Sequence, residues 1–122
     1  MNEAETRAEL IDPKIKEAGW GDVEGSVVRR EFKITNGEIK PGNIKAGIIR
    51  ADYVLVYKNR KLAVIEAKRD ELPVSDGVSQ AKDYAQKLKI HTTYSTHGHK
   101  IYEINYSKND KGEMFITSEG EV

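Results

Sequence analysis

The chain is 122 residues long, in the commonest size range of a single domain and long enough to bury a core without disulfides. Its 20 Lys and Arg balance 20 Asp and Glu, so the basic excess typical of a free-standing DNA binder is absent, and with no cysteine it is neither a disulfide scaffold nor a thiolate zinc site. No apolar run approaches the length of a membrane span and no signal-peptide pattern opens the chain, so a soluble, cytoplasmic protein without a membrane partner is expected.

In chain order, the spacing predicts a helix over residues 3–18, bent at Pro13 and stopped by Gly19. A strand is expected over residues 23–34, where Val27, Arg29, Glu31 and Lys33 alternate with Val28, Arg30, Phe32 and Ile34. Gly37, Pro41, Gly42 and Gly47 punctuate a loop. Two strands follow, Tyr53 to Tyr57 opened by Asp52, and Leu62 to Lys68, joined as a hairpin around Lys58-Asn59-Arg60-Lys61. After the breaker Leu72-Pro73-Val74, Ser75 or Asp76 caps a helix with Val78, Ala81, Ala85 and Leu88 on one stripe, and with Gln80 and Tyr84 one turn apart on a bordering face. Strands are then expected from Ile90 to Tyr94 and from Lys100 to Tyr106, with a turn from Ser107 to Gly112 and one more strand from Glu113 to Thr117. Ser118 to Val122 carry no closing element, as in a domain cut from a longer protein. A helix between strands implies a crossover, so part of the sheet is parallel and the fold is α/β or mixed α+β, one domain over residues 1–122.

The chemistry concentrates on the hairpin. Glu66 and Lys68 leave the same face of their strand, and antiparallel pairing brings Asp52 beside them at one end of the sheet. Neighbouring carboxylates raise each other's pKa, and burial raises both, so two of them kept together call for a compensating cation. Oxygen donors suit Mg²⁺, or Mn²⁺ in its place, and Lys68 could orient and help deprotonate a water or hold a phosphate oxygen. The set reads as metal-assisted phosphodiester hydrolysis. The plainer reading, a structural ion pair, fits poorly with the apolar run Leu62, Ala63, Val64, Ile65 and Ala67 around Glu66, which marks a central strand where charge needs a task or a partner. On their own, Gln80 and Tyr84 would be boundary residues of an amphipathic helix, and Arg29, Arg30, Lys33, Lys40, Lys45, Arg50, Lys58, Arg60 and Lys61 either a solvated face or a phosphate-contacting rim. His91, His97 and His99 lack the helical spacing of a metal site.

Arg50-Ala51-Asp52-Tyr53, Ile65-Glu66-Ala67-Lys68 and Gln80-Ala81-x-x-Tyr84-Ala85 resemble the PD-(D/E)xK nuclease superfamily, and more narrowly the N-terminal nuclease domain of the restriction (R) subunit of type I restriction-modification enzymes. Asn2 to Arg7, Leu10 to Pro13, Ala18 to Trp20 and Gly98 to Ile104 look like the same domain. The resemblance implies that Asp52 and Glu66 bind Mg²⁺, that Lys68 assists the attacking water, and that Gln80 and Tyr84 support the site and contact DNA, with Arg50 beside them. An acidic residue of the first helix often joins such a site. Here Glu3 or Glu5 would serve, and an ordinary acidic first turn explains both equally well. The family tends to carry Asn-Gly where this chain has His97-Gly98, a difference expected to matter only for turn geometry. The implied partners are double-stranded DNA and the modification and specificity subunits of a type I complex. ATP would serve only a motor region, since no G-x-x-x-x-G-K-[ST] loop occurs here. Two other readings stay open, a catalytically silent DNA-binding or assembly module and a stand-alone repair or junction nuclease of the same superfamily.

Overall fold

The computed structural model describes residues 1–34 and 49–122; the loop of Gly37, Pro41, Gly42 and Gly47 lies outside them, as do Lys40 and Lys45 of the basic set. Asn2 starts the N-terminal helix with a capping box, its side chain accepting the Glu5 N–H while the Glu5 carboxylate accepts the Asn2 N–H. Helix α1 (Glu3–Thr6) passes into a π-helical turn (Arg7–Ile11) and then α2 (Asp12–Glu17). The wide turn stands where the expected bend was: Pro13 has no N–H to bond back to the preceding turn, and Asp12 reaches the Arg7 carbonyl instead. Gly19, at φ 99°, turns the chain away from the helix end.

Among the described residues, six strands form one sheet in sequence order: β1 (Ser26–Ile34), β2 (Ile49–Tyr57), β3 (Arg60–Ala67), β4 (Thr92–Thr96), β5 (Ile101–Lys108) and β6 (Met114–Glu121). Of these strands only β3 and β4 run parallel, joined by a 3₁₀ turn (Val74–Gly77) and helix α3 (Val78–Leu88). This is a mixed α+β fold, with α1–α2 over one face and α3 over the other. Ile11, Ile15, Tyr53, Leu55, Ala63, Ile65 and Ala67 pack on the first face. Ala51, Val54, Val56, Val64, Tyr84 and Ile90 pack on the second. The middle of β2 and the end of β3 are therefore buried on both sides, which explains their unbroken apolar runs.

Several boundaries differ from those read in the sequence. Strand β1 starts at Ser26, because Val23 to Gly25 turn and the Ser26 N–H closes on the Val23 carbonyl. Strand β2 starts at Ile49, paired with Ile34, so Asp52 lies inside the strand and does not open it. The hairpin needs only Lys58 and Asn59, both at positive φ as a two-residue turn of the primed type requires. Neither Ser75 nor Asp76 caps α3; both belong to the 3₁₀ turn and Gly77 stands at the N-cap without a side-chain bond. Ile90 closes the helix end through its N–H to Ala85, so β4 begins later, at Thr92. The tail is not loose: β6 pairs with β5 as far as Glu121, and the Val122 N–H reaches Ile101.

Candidate active site

The β2–β3 register pairs Tyr53 with Ile65, and one step further along the ladder Asp52 meets Glu66. Two bonds lock them together. The Asp52 N–H donates to Glu66 Oε1 at 3.2 Å, and the Ala67 N–H donates to Asp52 Oδ2 at 2.7 Å. Glu66 is 4% exposed. Burial, and then the Asp52 charge beside it, push its carboxyl up to about 8, with Lys68 pulling the other way. A carboxylate held in that condition is a strong attractor for a second positive charge.

Lys68 follows β3 directly, its main-chain N–H bound to the Thr96 carbonyl and its ammonium donating to Gln80 Oε1 at 3.1 Å. Gln80 is exposed on the first turns of α3, and Tyr84, one turn on, is buried among Val54, Val64 and Ile90. Tyr84 is thus more than the boundary residue its spacing suggested. Its hydroxyl is held above the usual range by burial and then by the charges of Glu66 and Asp52. The approach of α3 depends on Gly77: a Cβ there would stand 2.5 Å from Ser95 Oγ and 3.4 Å from the Glu66 Cβ. Ser95 pairs with Glu66 across β3–β4 and donates to the Val74 carbonyl, tying the start of the crossover to the floor of the site.

The structure thus gathers Asp52, Glu66, Lys68, Gln80 and Tyr84 at one end of the central strands. It does not bring Glu3 or Glu5 to them. Glu3 is exposed on α1, and Glu5 is engaged in the capping box. Among the described residues no three His, Cys, Asp or Glu side chains form a group that could hold a metal, so the donors on hand are the two carboxylates. Arg50 is exposed on β2, paired with Lys33. In the turn after β4 the positive φ falls on Gly98 and not on His97, so histidine in place of asparagine carries no backbone strain. His97 is buried and accepts the His99 N–H.

Two residues near the pair escaped the sequence reading. Arg7, 18% exposed, stands 3.7 Å from Asp52 Oδ1 and donates through Nη2 to the Asp52 carbonyl at 3.4 Å. Its Nη1 also donates to Glu31 Oε1 at 2.6 Å. Glu31 lies across β1 from Asp52 with φ at 51°, and there the alternation of β1 switches: Val28 packs on the α1–α2 face, while Phe32, of the same parity, packs on the α3 face. A helical arginine four residues before the apolar Ile11 was the one available signal, and nothing local to Glu31 announces a left-handed strand residue.

The model of the second domain of the type I restriction enzyme EcoKI endonuclease subunit matches residues 31–116, which contain both carboxylates, Lys68 and α3. The chain belongs to the family of type I restriction enzyme endonuclease subunits. It is 32% identical over 102 residues to the EcoAI endonuclease subunit of Escherichia coli, an alignment covering 80% of this chain and 12% of that protein. A solved fragment of an HsdR subunit of a type I restriction enzyme from Vibrio vulnificus YJ016 matches with a TM-score of 0.74 at 36% identity, over 98% of this chain and 23% of that one. Both the family resemblance and the mixed α+β fold are borne out. This type I restriction subunit domain spans only a small part of its relatives' length. Among the described residues, no helix is long and apolar enough to cross a membrane.

Proposed function

We propose that this domain is a Mg²⁺-dependent DNA endonuclease unit of the PD-(D/E)xK type. The observation that carries the reading is the Asp52–Glu66 pair, one member almost fully buried, with Glu66 fixed by the Asp52 N–H and Asp52 by the N–H of Ala67. Buried like charges 14 residues apart in sequence are a poor device for stability and a good one for binding a divalent cation through oxygen. Asp52 and Glu66 would hold Mg²⁺, or Mn²⁺ in its place, and the ion when bound would polarise the phosphodiester and acidify water. Lys68 orients the attacking water or steadies the developing charge on a phosphate oxygen, and Gln80 aims its ammonium. Tyr84 closes the site from the α3 side. The substrate is double-stranded DNA, with Gln80, Tyr84 and exposed Arg50 at its backbone.

In this reading the domain serves a longer cytoplasmic R subunit, whose motor uses ATP and which joins modification and specificity subunits. Full-length subunit carrying Asp52→Ala, Glu66→Ala or Lys68→Ala is expected to assemble and fold but not to cut. Full cleavage by any of the three would overturn the assignment. A silent docking module would instead show no metal affinity at the pair, and the Lys68–Gln80 contact favours the nuclease because a docking surface has no use for an aimed ammonium. A stand-alone repair or junction nuclease would use the same site without a motor.

A further inference from the structure

We propose that Arg7, clamped by Glu31, is a positioning residue for Asp52, an inference that rests on the nuclease reading above. Asp52 has two carboxylate oxygens in unlike situations. Oδ2 is taken by the Ala67 N–H at 2.7 Å, whereas Oδ1 has the Arg7 guanidinium 3.7 Å away, near enough for attraction and beyond a direct bond. The guanidinium is held at that distance by its other contacts. Nη1 is drawn to Glu31 at 2.6 Å, Nη2 to the Asp52 carbonyl at 3.4 Å, and Nε to the Tyr53 hydroxyl at 3.2 Å, while the carbon of the group sits 4.8 Å over the Tyr53 ring. Tyr53 is steadied in turn by donating to Asp12 Oδ1 at 2.5 Å.

The arrangement has a specific consequence. Arg7 fixes the main chain and the orientation of Asp52 without closing on Oδ1, and Glu31 balances its charge, so the positive group beside the site repels an incoming cation little. Glu31 can do this only because its left-handed backbone interrupts the alternation of β1 opposite Asp52, and a non-glycine residue in that conformation is held there by its surroundings. Lysine could match the charge of Arg7 but not its three directed contacts, because an ammonium is a point donor and a guanidinium a planar fork.

Arg7→Lys keeps the charge, and the double change Arg7→Gln with Glu31→Gln removes one charge of each sign, so neither alters the net charge beside Asp52. Both are expected to weaken Mn²⁺ binding, measured by calorimetry on this chain, by about tenfold, the usual effect of losing a group that orients a metal ligand. In the metal-free protein both are expected to move the Ala67 amide resonance, which reports Asp52 Oδ2. The same neutral exchange at the distant pair, Lys87→Gln with Asp83→Asn, is expected to change neither readout. Mn²⁺ affinity within twofold of the unchanged chain in both Arg7 variants would overturn the inference. If the unchanged chain takes up no Mn²⁺, the nuclease reading has failed, and the Ala67 resonance alone decides whether Arg7 positions Asp52.

Discussion

Replacing Glu66 by glutamine is expected to stabilise the metal-free domain at neutral pH, the opposite of what removing a hydrogen-bonded core residue normally does. Glutamine keeps an oxygen for the Asp52 N–H and turns an amide toward the Asp52 carboxylate, while the need to take up a proton on folding disappears. In the folded protein the Glu66 carboxyl titrates at about 8, above its ordinary 4.5, so folding favours the protonated form. The stability it contributes is fully present below about 4.5 and is lost as pH rises through about 8. At pH 7 the loss relative to acid pH is about 3 kcal/mol, because folding there must protonate a carboxyl that the unfolded chain leaves ionised. For a chain of this length that corresponds to roughly 10 °C in Tm. Thermal unfolding followed by circular dichroism in chelator, from pH 5 to 8, should show the gap between Glu66→Gln and the unchanged chain opening with pH, and saturating Mg²⁺ should narrow it by stabilising only the chain with the carboxylate. A gap that stays flat across this range, or a variant less stable at pH 7, would refute the electrostatic argument.

Lys68→Met should lower plasmid cleavage by the full-length subunit about 100-fold or more, with Mn²⁺ affinity unchanged or slightly tighter because a cation has left the neighbourhood. Tyr84→Phe should leave urea stability close to the starting value, whereas Tyr84→Ala, which empties a buried ring site under α3, should lose about 3–5 kcal/mol. Gly77→Ala should cost about 1–3 kcal/mol as its Cβ meets Ser95 Oγ, and adding Ser95→Ala should recover part of the loss in the same melts.

What could be read in advance divides along physical lines. The β2–β3 hairpin, the crossover helix and the placing of Asp52 beside Glu66 follow from apolar runs, turn residues and a charge out of place, all of which are local. That Gln80 stands at the site came from the family resemblance and not from its helical spacing, and the structure sets it against Lys68. Arg7 was not legible because its partners Glu31, Asp52 and Tyr53 lie 24 to 46 residues away in sequence and meet it only after the sheet forms. Glu31 reads as one more polar residue of an alternating strand, and its left-handed backbone arises from tertiary pairing. Element ends slipped for the same reason: Ile90 is β-branched and apolar, yet its main chain serves the helix end, and β6 runs on to Glu121 because β5 offers it partners there. The third acid that the resemblance suggested on α1 does not reach the pair, since Glu5 is committed to the cap and Glu3 points to solvent.

The most direct test of the central claim is a Mn²⁺ titration of this chain and of Glu66→Ala, followed by paramagnetic broadening of backbone amide resonances. A cation held by Asp52 and Glu66 predicts saturable broadening that begins at Asp52, Glu66, Ala67 and Lys68, spreads to the first turns of α3, and vanishes in the variant. Broadening scattered over exposed carboxylates, or unchanged by the loss of Glu66, would contradict it.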